Sequence, residues 1–340
     1  MNDLRTMYDS NSKKVLNFVT QNAIFVCLLA LILFIILWDP TFLSFTVLRD
    51  ILVQVSTRSI IALGAAFVLI TAGCDLSAGR MVGLAAVLSG SLLQTQDYTR
   101  RFFPNMQDLP LLLPILVAIA AGLLFGLLNG FVVSRLSVPP FIATLATMTI
   151  IYGINSLYVN LPPNESQPIA GFRKDFTFLG SGYILNIPVI ILIAIVVIVI
   201  TWIILNKTRF GKNIYAIGGN VNAAKVSGIN VRRTLMGLYA YAGGLYGLAG
   251  VLEAARTGGS NNNYGVGYEL DAIAACVVGG VSLMGGIGTV PGIIAGVLIF
   301  GVINYGLTFV GMNPYWQQII KGIIIVVAVA FDIRKYLAKK

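Results

Sequence analysis

Ile184 to Leu205 reads ILNIPVIILIAIVVIVITWIIL, without one charged residue. About 20 apolar residues in a helix cross a bilayer, so this run is a membrane span. The segment that follows is its opposite: Asn206 to Thr234 carries six Lys and Arg and no Asp or Glu. An apolar span ending in a basic loop is the pattern of a helix that stops at the cytoplasmic face.

Outward from this run the pattern repeats. Of the 340 residues, 57% are hydrophobic and only 11% charged, against about a quarter in a soluble domain. The bilayer is therefore the solvent. Apolar windows near 22–38, 50–72, 79–95, 110–135, 140–160, 184–205, 235–254, 270–286, 288–310 and 315–332 predict about ten transmembrane helices. With the N-terminus in the cytoplasm, 15 of the 23 Lys and Arg fall inside and five outside. An even span count with both termini cytoplasmic follows. The expected fold is all-α and polytopic. A cytoplasmic segment 1–21 precedes a single transmembrane domain, 22–333, with its main cytoplasmic loop at about 206–234. A basic tail, 334–340, closes the chain.

Composition also removes functions. The chain has no His, hence neither the usual general base nor the commonest zinc ligand. Cys27, Cys74 and Cys276 lie in or beside apolar runs without CxxC spacing; they read as packing residues, and no metal site or catalytic residue is expected. Asp75 and Asp271 lack the YD and GxGD settings of an intramembrane aspartyl protease. The net charge of +10 is sorted by membrane side and does not imply nucleic acid.

Glycine is patterned. Gly122, Gly126 and Gly130, and again Gly288, Gly292 and Gly296, are spaced four apart, which lays a small-residue stripe along one helix face and lets helices approach closely. GLLN (126–129) with Pro139 echoes GVIN (301–304) with Pro314, and AAVLSGSL (85–92) echoes ACVVGGVSL (275–283). The paired helices run in opposite directions, the mark of an inverted 5+5 repeat.

Within the basic loop, Gly218 and Gly219 break the chain and Asn220 suits a helix N-cap. Val221 to Ser227 has the length of two turns, with Gly228 as its stop. Ala223 and Ala224 keep this helix thin, and Lys225 adds charge. Such a helix fits a cleft of another protein; a basic loop that only sets topology is the alternative.

At this point the sequence resembles the binding-protein-dependent ABC importer permeases of the ribose/galactose sugar class. GGNVNAAKVSGI (218–229) is similar to their coupling helix. DLSAGRMVGLAA (75–86), PPFIATLATM (139–148), RFGKNIYAIGGN (209–220), YELDAIAACVVGG (268–280) and VINYGLTFVGMNPYWQ (302–317) look like further segments of that class in the same order. Ala78, Arg80 and the NPYWQ stretch resemble its galactose/methyl-galactoside members, and Cys74 departs from them. The resemblance implies import of galactose, methyl-galactoside or a related monosaccharide across a bacterial inner membrane by a homodimer of this subunit. A periplasmic sugar-binding protein would dock outside and a cytoplasmic ABC ATPase inside. ATP and Mg2+ would belong to that ATPase, because this chain has no GxxxxGK[ST]. Gly218, Gly219, Asn220, Ala223, Ala224, Lys225, Ser227 and Gly228 are the expected coupling residues.

Ionisable groups at membrane depth are costly and point to function. Asp75 reads as an N-cap of the next helix or as a gate. Arg58 and Lys321 are expected to snorkel or to pair with Glu253 or Asp271, and Arg256 to pair with Glu253 at i, i+3. Arg256, Glu269 and Asp271 are candidates for docking the binding protein. For a sugar, neutral hydrogen-bonding groups matter: Ser77, Asn129, Asn155, Asn304 and Gln317, together with the ionisable Asp75, are the candidates for the translocation path or gate. A proton-coupled sugar symporter, with Asp75 or Glu253 as carrier, is the competing reading.

Overall fold

A computed structural model describes residues 32–337. Segment 1–21, most of the predicted first span, Cys27 and the last three residues of the basic tail lie outside the described residues. The helices are α1 (Phe45–Ile70), α2 (Ala78–Leu92), α3 (Leu112–Arg135), α4 (Pro140–Val159), α5 (Lys174–Ser181), α6 (Val189–Lys207), α7 (Arg209–Gly219), α8 (Val221–Val226), α9 (Val231–Thr257), α10 (Tyr268–Val278), α11 (Val290–Phe309) and α12 (Pro314–Leu337). Six of them, α1, α3, α4, α6, α9 and α11, are long and apolar enough to cross a membrane.

Two predicted spans are shorter than expected. Windows 79–95 and 270–286 become α2, of 15 residues, and α10, of 11. At about 1.5 Å per residue neither reaches across a hydrocarbon core of about 30 Å. Glycine is the reason for the second break: Gly280, Gly285 and Gly286 have φ of +86°, +85° and +74°, a region closed to most residues. Irregular backbone at membrane depth survives only inside protein, with its polar groups satisfied. Around segment 71–77, Leu76 N–H donates to Thr144 Oγ1 at 3.1 Å, and the Thr144 hydroxyl donates to the Cys74 carbonyl at 3.2 Å. In segment 279–289, Val281 N–H donates to Cys276 at 2.9 Å and Gly286 N–H to Ile70 at 2.8 Å.

Helices α1 and α9 form the centre and pack on each other. Helix α1 carries α10 and α11 on its flank; α9 carries α2 and α3. Every residue from Ser59 to Ile70 is buried. The predicted stripe on α3 meets a matching one: a Cβ added at Gly122 or Gly126 would overlap the carbonyls of Gly243 and Tyr239, and one at Gly243 would overlap that of Gly122. Lipid tails are as apolar as Leu, so helices in a bilayer gain from close backbone contact rather than from hiding apolar surface.

At one end, short strands tie three connections together. β1 (Ile169–Ala170) pairs antiparallel with β2 (Gly259–Ser260), Ile169 opposite Ser260. Gln94 donates to the Ala170 carbonyl at 2.7 Å and accepts from Phe102 N–H at 2.6 Å. Helix α5 is anchored at Arg173, which pairs with Asp175 and donates to the Leu109 carbonyl at 2.7 Å. At the other end, segment 206–234 is not an open loop. Besides the expected short helix it contains α7, whose Ile214 and Ile217 are buried.

Candidate functional site

The coupling segment is built as its residues dictate. Asn220 Oδ1 accepts from Asn222 N–H at 2.9 Å and Ala223 N–H at 3.0 Å, which caps α8. Ser227 follows the helix, and Gly228 turns the chain at φ +80°. The two alanines separate. Ala223 is exposed and Ala224 is buried against the chain itself, so only Ala223 belongs to an outer face. Sequence reasoning missed the apolar members of that face. Val226 is 90% exposed and Val221 40%. Valines flanking a small helix between cations were the available signal. Lys225 stands beside them, also exposed.

Asp75 is buried, but it does not cap α2. Its Oδ1 accepts from Ser77 N–H at 3.0 Å and from the Ser77 hydroxyl at 2.6 Å, and it is Ser77 that precedes the first turn. The two residues between Asp75 and Ala78 let the carboxylate fold onto its own link instead. The Ser77 hydroxyl in turn accepts from Asn129 Nδ2 at 2.9 Å, and Asn129 Oδ1 accepts from the Thr147 hydroxyl at 2.6 Å. Three of the predicted path residues, Asp75, Ser77 and Asn129, thus form one buried chain of hydrogen bonds from segment 71–77 through α3 to α4. The Tyr246 hydroxyl faces the Asp75 carboxylate, and the Tyr239 hydroxyl is buried without a hydrogen-bond partner among the described residues.

The ionisable residues gather in a second cluster. Glu253, 1% exposed, accepts from the Thr57 hydroxyl at 2.8 Å, Arg256 Nε at 3.1 Å and Nη2 at 2.7 Å, and the Tyr268 hydroxyl at 3.1 Å. Asp271 faces Lys321 at 3.3 Å and Arg58 at 4.0 Å. The Arg58 guanidinium lies 3.3 Å from the centre of the Tyr268 ring. Arg58 and Lys321 therefore turn inward to Asp271 rather than outward to the headgroups, because pairing lowers the cost of charge at this depth. Of the three docking candidates, Arg256 and Asp271 are engaged within this cluster. The Glu269 carboxylate lies against Gly79 of α2. Arg80 is in the first turn of α2. It donates to the Asn262 carbonyl at 3.2 Å and stacks on Tyr152 at 4.3 Å.

The remaining amides are dispersed. Asn155 is buried with Oδ1 unpartnered. Asn304 lines a small cavity with Gln54, Arg58, Tyr268 and Asp271. Gln317 is spent locally, donating to the Met312 carbonyl at 2.9 Å. The six path candidates are not brought into one site. Among the described residues no group of three or more His, Cys, Asp or Glu is placed to hold a metal ion.

Comparison with known proteins places this architecture. The chain is 52% identical to the galactose/methyl galactoside import permease protein MglC of Escherichia coli (strain K12) over 334 residues, 97% of this chain and 99% of that protein. It is 53% identical to MglC of Haemophilus influenzae over 331 residues, 96% and 98% of the two chains. The ribose import permease protein RbsC of Haemophilus influenzae is 38% identical over 336 residues, 98% of each. No solved structure gave a significant match. The family described as "Branched-chain amino acid transport system / permease component" matches residues 47–329. The chain is a multi-pass membrane protein and belongs to that permease family.

Proposed function

We propose that this chain is the transmembrane permease subunit of an ABC importer that brings galactose, methyl galactoside or a related monosaccharide into the cytoplasm. The observation that carries this reading is identity above 50% over nearly the full length of two galactoside import permeases. The chain itself is not an enzyme. Hydrolysis of ATP, with its Mg2+, takes place in a separate cytoplasmic ATPase, and a periplasmic binding protein delivers the sugar.

The finer assignments extend that reading. The subunit has about ten spans in the bacterial inner membrane, with both termini, 1–21 and 334–340, in the cytoplasm around one domain, 22–333. Its halves form an inverted repeat. The support is reciprocal packing: α1 holds the third and fourth elements of the other half, and α9 does the same in return. Each half also has a shortened third helix. Two copies form one path. Segment 206–234 docks the ATPase through Ala223, Lys225, Val221 and Val226. Gly218, Gly219, Asn220, Ser227 and Gly228 shape it, and Ala224 seats α8 on its own chain. Asp75, Ser77 and Asn129 hold the 71–77 link at the gate; Asn155, Asn304 and Gln317 are path candidates elsewhere. Arg256, Glu269 and Asp271 fix the segment around 258–271 that the binding protein meets.

Uptake of labelled galactose into vesicles, with and without the ATPase and binding protein and with a protonophore, tests this. The expected result is uptake that needs both partners and ATP and ignores the protonophore. Uptake by the chain alone, abolished by the protonophore, would establish the symporter instead. Glu253 is fully committed to Thr57, Arg256 and Tyr268, which speaks against a carboxylate that sheds a proton in each cycle.

A further inference from the structure

Three backbone segments that are distant in sequence meet at Gly218, the penultimate residue of α7. A Cβ at this position would overlap the carbonyl oxygen of Ile70, where α1 ends, and would stand 2.6 Å from the amide nitrogen of Gly286. Those two groups are already bonded to each other: Gly286 N–H donates to Ile70 O at 2.8 Å. Gly285 closes the joint from the other side, its Cβ position 2.7 Å from the Gly218 carbonyl and 3.0 Å from Ala72. Three residues earlier on α7, the Tyr215 hydroxyl donates to the Gly288 carbonyl at 2.8 Å. The tightness is local, since a Cβ at neighbouring Gly219 would meet nothing within 4 Å.

The position of this joint gives it meaning. Ile70 opens segment 71–77, which leads to the Asp75–Ser77–Asn129 chain. Gly285 and Gly286 lie in segment 279–289, which leaves α10 and enters α11. Both are irregular, and irregular backbone pivots more readily than a helix. Asn220, the N-cap of helix α8, follows two residues after Gly218. Backbone packed on backbone has no side chain to absorb a displacement, so motion passes through it undiminished.

We propose that Gly218 is a positioning residue, the contact through which α8 moves the 71–77 and 279–289 segments together. This rests on the reading of α8 as the ATPase-docking helix, and the assay separates the two.

The test uses the assembled complex in vesicles, with ATP hydrolysis and galactose uptake measured side by side. Gly218→Ala is expected to lower uptake about tenfold or more while the ATPase still co-purifies and hydrolyses ATP. Gly153→Ala, at an exposed position where a Cβ meets nothing within 4 Å, is the control and should transport normally. Tyr215→Phe removes one hydrogen bond without adding an atom. It should lower sugar moved per ATP by about threefold or more, and it decides the matter should Gly218→Ala fail to assemble. Normal uptake by Gly218→Ala, or an unchanged uptake-to-ATP ratio in Tyr215→Phe, overturns the assignment of Gly218. The docking reading has its own readout: it fails if Val226→Asp leaves both co-purification and uptake intact, whatever Gly218→Ala does.

Discussion

Glu253→Gln perturbs the buried cluster with the least change of shape. Its Oε2 takes the Thr57 hydroxyl and Arg256 Nε, and its Oε1 takes Arg256 Nη2 and the Tyr268 hydroxyl. An amide keeps one acceptor oxygen and turns the other into a donor. Whichever way it rotates, two donors lose their acceptor, and one of the two always belongs to Arg256. A hydrogen bond to a charged group contributes about 1.5–3 kcal/mol and a neutral one about 1. The sum, about 2.5–4 kcal/mol, overlaps the cost of breaking a buried ion pair, about 3–5 kcal/mol. The Arg256 side chain is 26% exposed and recovers some solvation, which lowers the expectation to about 2–3 kcal/mol. Unfolding in mixed micelles titrated with SDS, followed by tryptophan fluorescence, reads this directly. Arg256→Gln and the double variant complete a cycle, in which a coupling energy of at least about 1 kcal/mol is expected. A Glu253→Gln protein within about 0.5 kcal/mol of the parent, or additive single effects, would refute the claim that Glu253 and Arg256 act as one unit.

Other substitutions probe the remaining elements. Val226→Asp puts a charge on the most exposed apolar residue of α8; it should abolish ATPase co-purification while membrane insertion, read by protease protection, stays intact. Ala223→Trp should uncouple hydrolysis from uptake, whereas Ala224→Leu, at a buried position, should lower the stability of the segment itself by about 1–3 kcal/mol, seen as faster proteolysis near 220–230. Gly126→Leu forces α3 off the Tyr239 carbonyl of α9 and should reduce folded protein in detergent by an amount equivalent to about 3 kcal/mol or more; an unchanged yield would show that this contact is loose. Asn129→Leu cuts the link between the hydroxyls of Ser77 and Thr147. It is expected to cost about 1–2 kcal/mol in SDS titration, with a larger loss of uptake than of stability.

How much of this was legible in the residues follows from what each signal depends on. Hydropathy depends on composition alone, so α3, α4, α6, α9 and α11 stand close to the windows read from the sequence. Capping is equally local: Asn220 and Gly228 bound α8 where their side chain and backbone preferences place them. The pairing of Glu253 with Arg256 follows from helical spacing. The lengths of α2 and α10 did not follow, because hydropathy cannot distinguish a crossing helix from a half-length one continued by buried irregular chain. Of the two readings of Asp75, the cap does not hold, because the carboxylate accepts from the Ser77 hydroxyl and N–H in its own link instead of from the first turn of α2.

The sequence by itself therefore determined the membrane as solvent, the order of the long helices, the basic segment and the short helix within it, and the permease class. Those properties are carried by residues close together in the chain. Tertiary structure alone decided that Arg58 and Lys321 both face Asp271, that Thr57 and Tyr268 complete the shell of Glu253, and that Gly218 rests on Ile70 and Gly286. Each of these joins residues that are far apart along the chain. Their proximity is set by how glycine-lined helices pack in lipid, where backbone approach rather than side-chain character selects the neighbours.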